Sequence, residues 1–247
     1  MKTYRAVIFD LFDTLVDFDR TQIPVVTVDG REVRTTAGET YSAFAQVHDQ
    51  LSFEAYYRLL SDVTKELMAV RERDHLEIPA RRRYEVLFDR LGMARNAAAE
   101  HCIDAMLATH HRYMLNAAVC PPERRQVLEA LKARYPLGLL SNFDSAMTGL
   151  NILVKHDLRV YFAPIHISEA IGYRKPRPEA FLHTAEAMDV APAEALFIGD
   201  TFDLDVVGAK GVGMDVAWFD RRKTPPELER AQPDYVITRL LDLLEIL

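Results

Sequence analysis

A chain of 247 residues is long enough for one large domain or two modest ones with a sizeable core. Hydrophobic residues make up 49% and charged residues 27%, the balance of a globular protein, and the formal net charge is −7. That acidity disfavours a general nucleic-acid binder, which needs a basic surface to meet phosphates, but not a small anionic ligand in a local positive pocket.

The first predicted element is an apolar run, Ala6–Phe9, that reads as a buried strand and ends in Asp10. A carboxylate at the end of a buried strand is costly unless something shares its charge. From 19 to 116 the pattern changes. "VVTVDGREVRTT" (25–36) reads as a hairpin turning at Asp29-Gly30, and apolar residues at three- and four-residue spacing follow in 40–51, 53–74, 79–92 and 96–114. From 117 onward short apolar runs alternate with amphipathic patterns. The runs are 137–140, 165–168, 195–199, 214–219 and 235–238; the amphipathic stretches include 122–135, 144–156 and 178–189. Strand and helix in regular alternation predict crossovers and a parallel sheet covered on both faces. The expected class is α/β: a Rossmann-like parallel core from 1–18 and 117–247, interrupted at 19–116 by a mostly α-helical insertion.

No stretch approaches the roughly 18 apolar residues of a membrane span, and the apolar run near the N-terminus is far too short for a signal peptide. Cys102 and Cys120 are far apart and match no CxxC or zinc spacing. A cytoplasmic protein with reduced thiols is expected, with no membrane partner; its oligomeric state is open.

Ligands of open parallel sheets bind beyond the carboxyl ends of the strands. There the sequence sets Asp10, Ser141-Asn142 and Gly199-Asp200, and the loop "GYRKPRP" adds Lys175 just before a helix. Taken singly, Asp and Ser after a strand are most often turn or capping residues, and a lone lysine is most often solvated. Jointly they make a coherent set. Two carboxylates meeting at one point call for a cation, and an all-oxygen site suits a hard ion, Mg²⁺ first. A lysine and a hydroxyl nearby would hold an anionic group against that ion, leaving one carboxylate to attack it.

These residues resemble the four motifs of the haloacid dehalogenase (HAD) superfamily, in the right order. "FDLFDTL" (9–15) matches the first, "LLSN" (139–142) the second, Lys175 in "RKPRP" the third and "IGDTFDLD" (198–205) the fourth, with "VVGAKGVGM" (206–214) following that family's pattern. The resemblance covers the core; the insertion matches the family's helical cap in position and type, without a motif. It implies Asp10 as nucleophile, Thr14 as the motif threonine and Ser141 as the hydroxyl that binds the transferred group, with Asn142 beside it at the substrate. It further implies Lys175 as the residue that steadies nucleophile and phosphate, Asp205 as a second acid that orients it or a metal-bound water, and Mg²⁺ held by Asp10, Asp200 and the Phe12 carbonyl.

One position departs from the family's phosphatases. Two residues after the nucleophile they carry an aspartate that serves as acid and then base; here stands Phe12, with no proton to give. The family's dehalogenases carry an aromatic tyrosine there, attack carbon, need no metal and lack the Gly-Asp of the fourth motif, whereas this chain keeps Gly199-Asp200. Asp13, one residue late, is expected to point to another face of an extended segment. The leading expectation is a Mg²⁺-dependent phosphatase on a small phosphorylated molecule. Phe12 removes acid–base help worth a factor of about 10² to 10⁴. The alternatives are a metal-independent 2-haloacid dehalogenase, and a weakly active or non-catalytic binding protein on the same fold. The eight histidines fall in no ligand spacing, "RRR" (81–83) reads as a solvated helix face, and Tyr41, Phe44, Phe53, Tyr56 and Tyr57 read as packing inside the insertion.

Overall fold

The computed structural model describes residues 3–221 and 230–247. In chain order the first strands are β1 (Ala6–Phe9), β2 (Asp17–Phe18), β3 (Val25–Val28) and β4 (Arg31–Arg34). Four helices follow, α1 (Ala37–Phe44), α2 (Phe53–Asp74), α3 (Arg81–Arg90) and α4 (Ala97–Ala117), and then β5 (Ala118–Val119) and α5 (Pro122–Lys132). The remainder alternates: β6 (Leu137–Ser141), α6 (Ala146–Lys155), β7 (Ile165–Ile167), α7 (Ser168–Ile171), α8 (Pro178–Ala187) and β8 (Ala195–Gly199). Last come α9 (Val207–Gly211), β9 (Asp215–Phe219), β10 (Tyr235–Ile237) and α10 (Leu243–Ile246). The chain divides into two compact units, one made of Met1–Phe18, His75–Glu77 and Val119–Leu247, the other of Asp19–Asp74 and Ile78–Ala118.

In the first unit six strands form one sheet in the order β10-β9-β8-β1-β6-β7, every pair parallel. All six strand runs expected from the sequence lie in it. The central strand is β1: Val7 sits opposite Leu137 on one side and Leu196 on the other. Its side chains are buried on both faces, which is why the run shows no polar alternation. Phe181 of α8 packs edge-on against Phe197 at 5.1 Å, and Ile8, Val216 and Trp218 join the same apolar cluster. The crossover helices begin where the local chemistry dictates. Pro122 and Pro178 each sit in a first turn, where no backbone donor is needed, and the Ser145 hydroxyl accepts the Thr148 N–H to open α6. Because β8, β1 and β6 are adjacent and parallel, their carboxyl ends share one edge.

In the second unit β3 and β4 pair antiparallel, Val26 opposite Val33, about a turn in which Asp29 and Gly30 both take positive φ (50° and 72°). That turn chemistry is what Asp-Gly provides. The helices bury one face each. Phe44, Tyr56, Tyr84, Leu87, Phe88 and Ile103 are almost wholly removed from solvent, and the Tyr56 hydroxyl shares a hydrogen bond with Thr40 Oγ1 at 2.7 Å. Tyr41, Phe53 and Tyr57 lie half-buried against the same cluster. Arg81 faces outward and pairs with Glu85, Glu100 and Asp104. Among the described residues no helix is long and apolar enough to cross a membrane.

Candidate active site

Asp10 follows β1 directly, and its N–H donates to the Ile198 carbonyl at 2.9 Å, so the first turn after the strand is tied to β8. Lys175 arrives from the loop between α7 and α8. Its ammonium lies 2.5 Å from Asp10 Oδ1 and 2.7 Å from Asp205 Oδ1. All three residues are buried: Asp10 is 6% exposed, Lys175 2% and Asp205 1%. Asp205 reaches the site from a π-turn over Phe202–Val206, and its Oδ2 accepts the Thr201 N–H at 2.9 Å. Gly199 makes that approach feasible, since a Cβ there would stand 2.4 Å from the Asp205 carboxyl carbon. Asp200 completes the group. The Trp218 indole N–H donates to its carbonyl at 2.9 Å and fixes the turn after β8.

Asp10, Asp200 and Asp205 each present an oxygen within 4.8 Å of the others. One ammonium among three carboxylates leaves negative charge in excess, and Asp10 and Asp205 are buried where water disperses little of it. The titration of the group records the imbalance. Burial, with the charges of Asp205 and Asp200 added, outweighs Lys175 and pushes Asp10 up to about 7. Asp200 rises to about 6 through burial and the charges of Asp205 and Asp13. Burial disfavours the charged form of Lys175, but Asp10 and Asp205 overcome it and hold the ammonium above its ordinary range. A hard divalent cation with oxygen ligands is the partner this donor set fits.

Two hydroxyls mark where an anion could dock. Ser141 and Thr14 are fully buried, and neither Oγ nor Oγ1 has a hydrogen-bond partner. Buried hydroxyls are rarely left without one, so the pair fits oxygens supplied from outside the chain. Asn142, expected beside the substrate, is engaged elsewhere. Its Oδ1 accepts the Lys175 N–H at 2.8 Å and its Nδ2 donates to the Lys175 carbonyl at 2.9 Å. It acts on the loop that carries the lysine.

The Phe12 ring packs between Phe18 and Phe143, at centroid distances of 5.1 and 4.7 Å. Asp13 differs from expectation. The segment is a tight turn and not extended: Asp13 has φ 59°, and its N–H donates to the Val16 carbonyl at 2.7 Å. Its side chain lines a cleft of about 500 Å³ together with Asp200, Thr201, Trp218 and Arg221. Arg221 lies 3.4 Å from Asp13 Oδ1 and 2.6 Å from Asp17 Oδ1, and Asp17 also pairs with the buried Arg124 at 2.9 Å. Sequence reasoning assigned Asp17, Arg124 and Arg221 no role; their pairings span about a hundred residues or more and leave no local pattern. Among the described residues the histidines join no metal-capable cluster, and Cys102 and Cys120 are free thiols.

A family model described as haloacid dehalogenase-like hydrolase matches residues 4–213. A glyceraldehyde 3-phosphate phosphatase of Pyrococcus furiosus is 28% identical to this chain, over 100% of it and 94% of that protein. Two solved structures share the fold across nearly the whole chain. A HAD phosphatase from Thermococcus onnurineus aligns with a TM-score of 0.64 at 23% identity, covering 98% of this chain and 97% of its own. A 2-haloacid dehalogenase from Pseudomonas syringae pv. tomato aligns with a TM-score of 0.66 at 22% identity, covering 99% and 98%.

Proposed function

This chain belongs to the haloacid dehalogenase-like hydrolases, and on that footing we propose that it is a Mg²⁺-dependent phosphatase acting on a small phosphorylated molecule through a phosphorylated Asp10. The observation that carries the reading is the cluster of three carboxylates around one buried lysine, with two unpartnered hydroxyls in the same set of motifs. The glyceraldehyde 3-phosphate phosphatase relative supports a phosphate ester as the substrate class.

In this reading Asp10, Asp200 and the Phe12 carbonyl would hold the cation, which neutralises charge on the phosphoryl group. Ser141 and Thr14 donate to phosphoryl oxygens, and Lys175 holds both the group and its nucleophile. An Asp10 carboxylate oxygen attacks phosphorus; the new O–P bond forms as the ester O–P bond breaks and the leaving group departs with the electron pair. Water then attacks phosphorus, Asp10 is released as a carboxylate, and inorganic phosphate leaves. Positioning and charge neutralisation dominate such a reaction. Asp205 keeps Lys175 charged and oriented, and Asn142 fixes its backbone.

Phe12 shapes the choice of ester. Without an acid at that position the leaving group departs unprotonated, so an alkyl phosphate forgoes help worth a factor of about 10² to 10⁴ and aryl or acyl phosphates, whose leaving groups need no proton, are favoured. The same phenylalanine favours a second reading, a carbon–halogen hydrolase that uses Asp10 without metal. The two separate in one assay. The protein is offered p-nitrophenyl phosphate and 2-chloropropionate, each with Mg²⁺ and with EDTA. Phosphate release that needs Mg²⁺ is expected; halide release at an unchanged rate in EDTA would replace this reading with the second.

A further inference from the structure

We infer that Glu77 is a positioning residue for Lys175, and the inference rests on the reading of Asp10 and Lys175 given above. Glu77 lies within the 19–116 insertion of the sequence, yet His75–Glu77 belongs to the same compact unit as the sheet. The three residues run as a short strap along the loop that bears the lysine. Leu76 and Tyr173 form an antiparallel bridge, the Glu77 N–H donates to the Gly172 carbonyl at 3.3 Å, and the Arg174 N–H donates to the His75 carbonyl at 3.2 Å.

The Glu77 side chain is 1% exposed, and its Oε2 forms an ion pair with Arg174 and accepts a hydrogen bond from the Ser168 hydroxyl. Ser168 Oγ in turn accepts the Phe143 N–H at 2.9 Å. Phe143 is the residue after Asn142, whose amide grips the Lys175 backbone on both sides. The contacts close into a ring: Glu77, Arg174, Lys175, Asn142, Phe143, Ser168 and back to Glu77. That ring laces the loop after β6 to the loop after α7. Neither loop has regular structure between Asn142 and Asp144 or between Gly172 and Arg177 to hold it, so side-chain contacts must.

A buried ion pair adds little net stability, since desolvation offsets most of the attraction, while removal of one partner leaves the other uncompensated. Its effect at this place is geometric. Arg174 and Lys175 are consecutive, and different carboxylates hold them: Glu77 pairs with Arg174, while Asp10 and Asp205 pair with Lys175. With the Glu77 carboxylate gone, Arg174 loses that buried ion pair and the loop loses one of the contacts that hold it. The ammonium then samples positions away from Asp10.

Two measurements test this. The first is hydrogen exchange of the 172–177 segment in wild type, Glu77→Ala and Glu77→Gln. Protection of the Lys175 amide is expected to fall in Glu77→Ala while the sheet strands keep theirs, with Glu77→Gln in between because an amide oxygen still accepts from Ser168. The second is steady-state turnover of p-nitrophenyl phosphate with Mg²⁺. Glu77→Ala should lower kcat by about 10- to 100-fold with KM changed far less, and Glu77→Gln should recover part of the loss. Wild-type exchange at Lys175, or protection lost evenly across the whole chain, overturns the inference, as does an unchanged kcat. If Glu77→Ala does not fold, Glu77→Gln and the Glu77→Gln/Arg174→Gln double variant carry the same comparison. A wild type that hydrolyses no phosphate ester counts against the phosphatase reading; the exchange result still decides whether Glu77 holds the loop.

Discussion

The inserted unit places charge outside and aromatic rings inside; the carboxyl edge of the sheet buries charge beside its rings. Around α3, Arg81 meets Glu85, Glu100 and Asp104 at the surface while Phe44, Tyr56, Tyr84 and Phe88 fill the interior. At the sheet edge Asp10, Lys175 and Asp205 are the buried residues, and the nearest rings serve as walls: Phe197 lies 5.3 Å from the Lys175 ammonium. The first arrangement is what stability alone selects. The second works against stability, because each buried charge forfeits its hydration and three carboxylates share one ammonium. Where a chain keeps such an arrangement, the compensation is expected from a ligand.

The largest effect that sharpens this contrast comes from Asp10→Asn. It removes the nucleophile and should lower turnover of p-nitrophenyl phosphate by about 10⁴-fold or more. In EDTA at pH 8 the same variant should melt no lower than wild type, since it deletes one of the surplus buried charges. A clear drop in melting temperature would mean that the cluster stabilises the fold and that the contrast is misdrawn. Phe88→Ala, in the inserted unit, should behave the opposite way. It empties a fully buried aromatic position and should cost about 3–5 kcal/mol by urea denaturation, while kcat per folded molecule changes far less.

Most of the sheet edge was legible because parallel alternation brings the carboxyl ends of strands together wherever they fall in the sequence. Asp10, Ser141 and Asp200 could be read from that rule alone, and Lys175 and Asp205 from motif order. What the sequence concealed depends on turns and on distant pairs. Asp13 was assigned to another face because an extended segment alternates; a left-handed residue at 13 bends the chain and brings it to the cleft beside Asp200. Asn142 shows a hydrogen-bonding side chain at a strand end, but nothing local says that both its groups are taken by a backbone 33 residues away. Glu77 lies between two helical patterns and pairs with a residue 97 positions on, so no periodicity could reveal it.

A smaller effect follows from pH and metal together. Burial is the first cause that holds Asp10 up at about 7 and Asp200 at about 6, above the ordinary carboxylate value of 3.8. Between that value and about 7 the folded, metal-free protein keeps protons that the unfolded chain has already lost. Stability from these groups therefore falls as pH rises through that window. Mg²⁺ needs the carboxylates ionised and should reverse the trend, stabilising more at pH 8 than at pH 5. At a hundredfold excess over its dissociation constant it adds about 2.7 kcal/mol, a shift of several degrees in a thermal melt. An equal shift at both pH values would mean that the ion binds elsewhere.

The smallest effect is expected where one arginine meets three carboxylates. Arg81 reaches Glu85, Glu100 and Asp104, and Glu100 also takes Arg95, so the network looks substantial on paper. Two of its members, however, sit well in water, the Asp104 side chain 64% exposed and Glu100 39%, and Arg81 itself is 31% exposed. Water and salt screen such pairs, and holding long side chains in one geometry offsets part of the attraction. Arg81→Ala should therefore cost no more than about 1 kcal/mol by urea denaturation, and less still at high salt. Among the described residues Lys175 pairs with two carboxylates, yet Lys175→Ala should cost far more in turnover than Arg81→Ala costs in stability. A loss of about 3 kcal/mol or more in Arg81→Ala would be the size of a broken buried pair, and would show that the inserted unit, too, relies on charge and not on its aromatic interior.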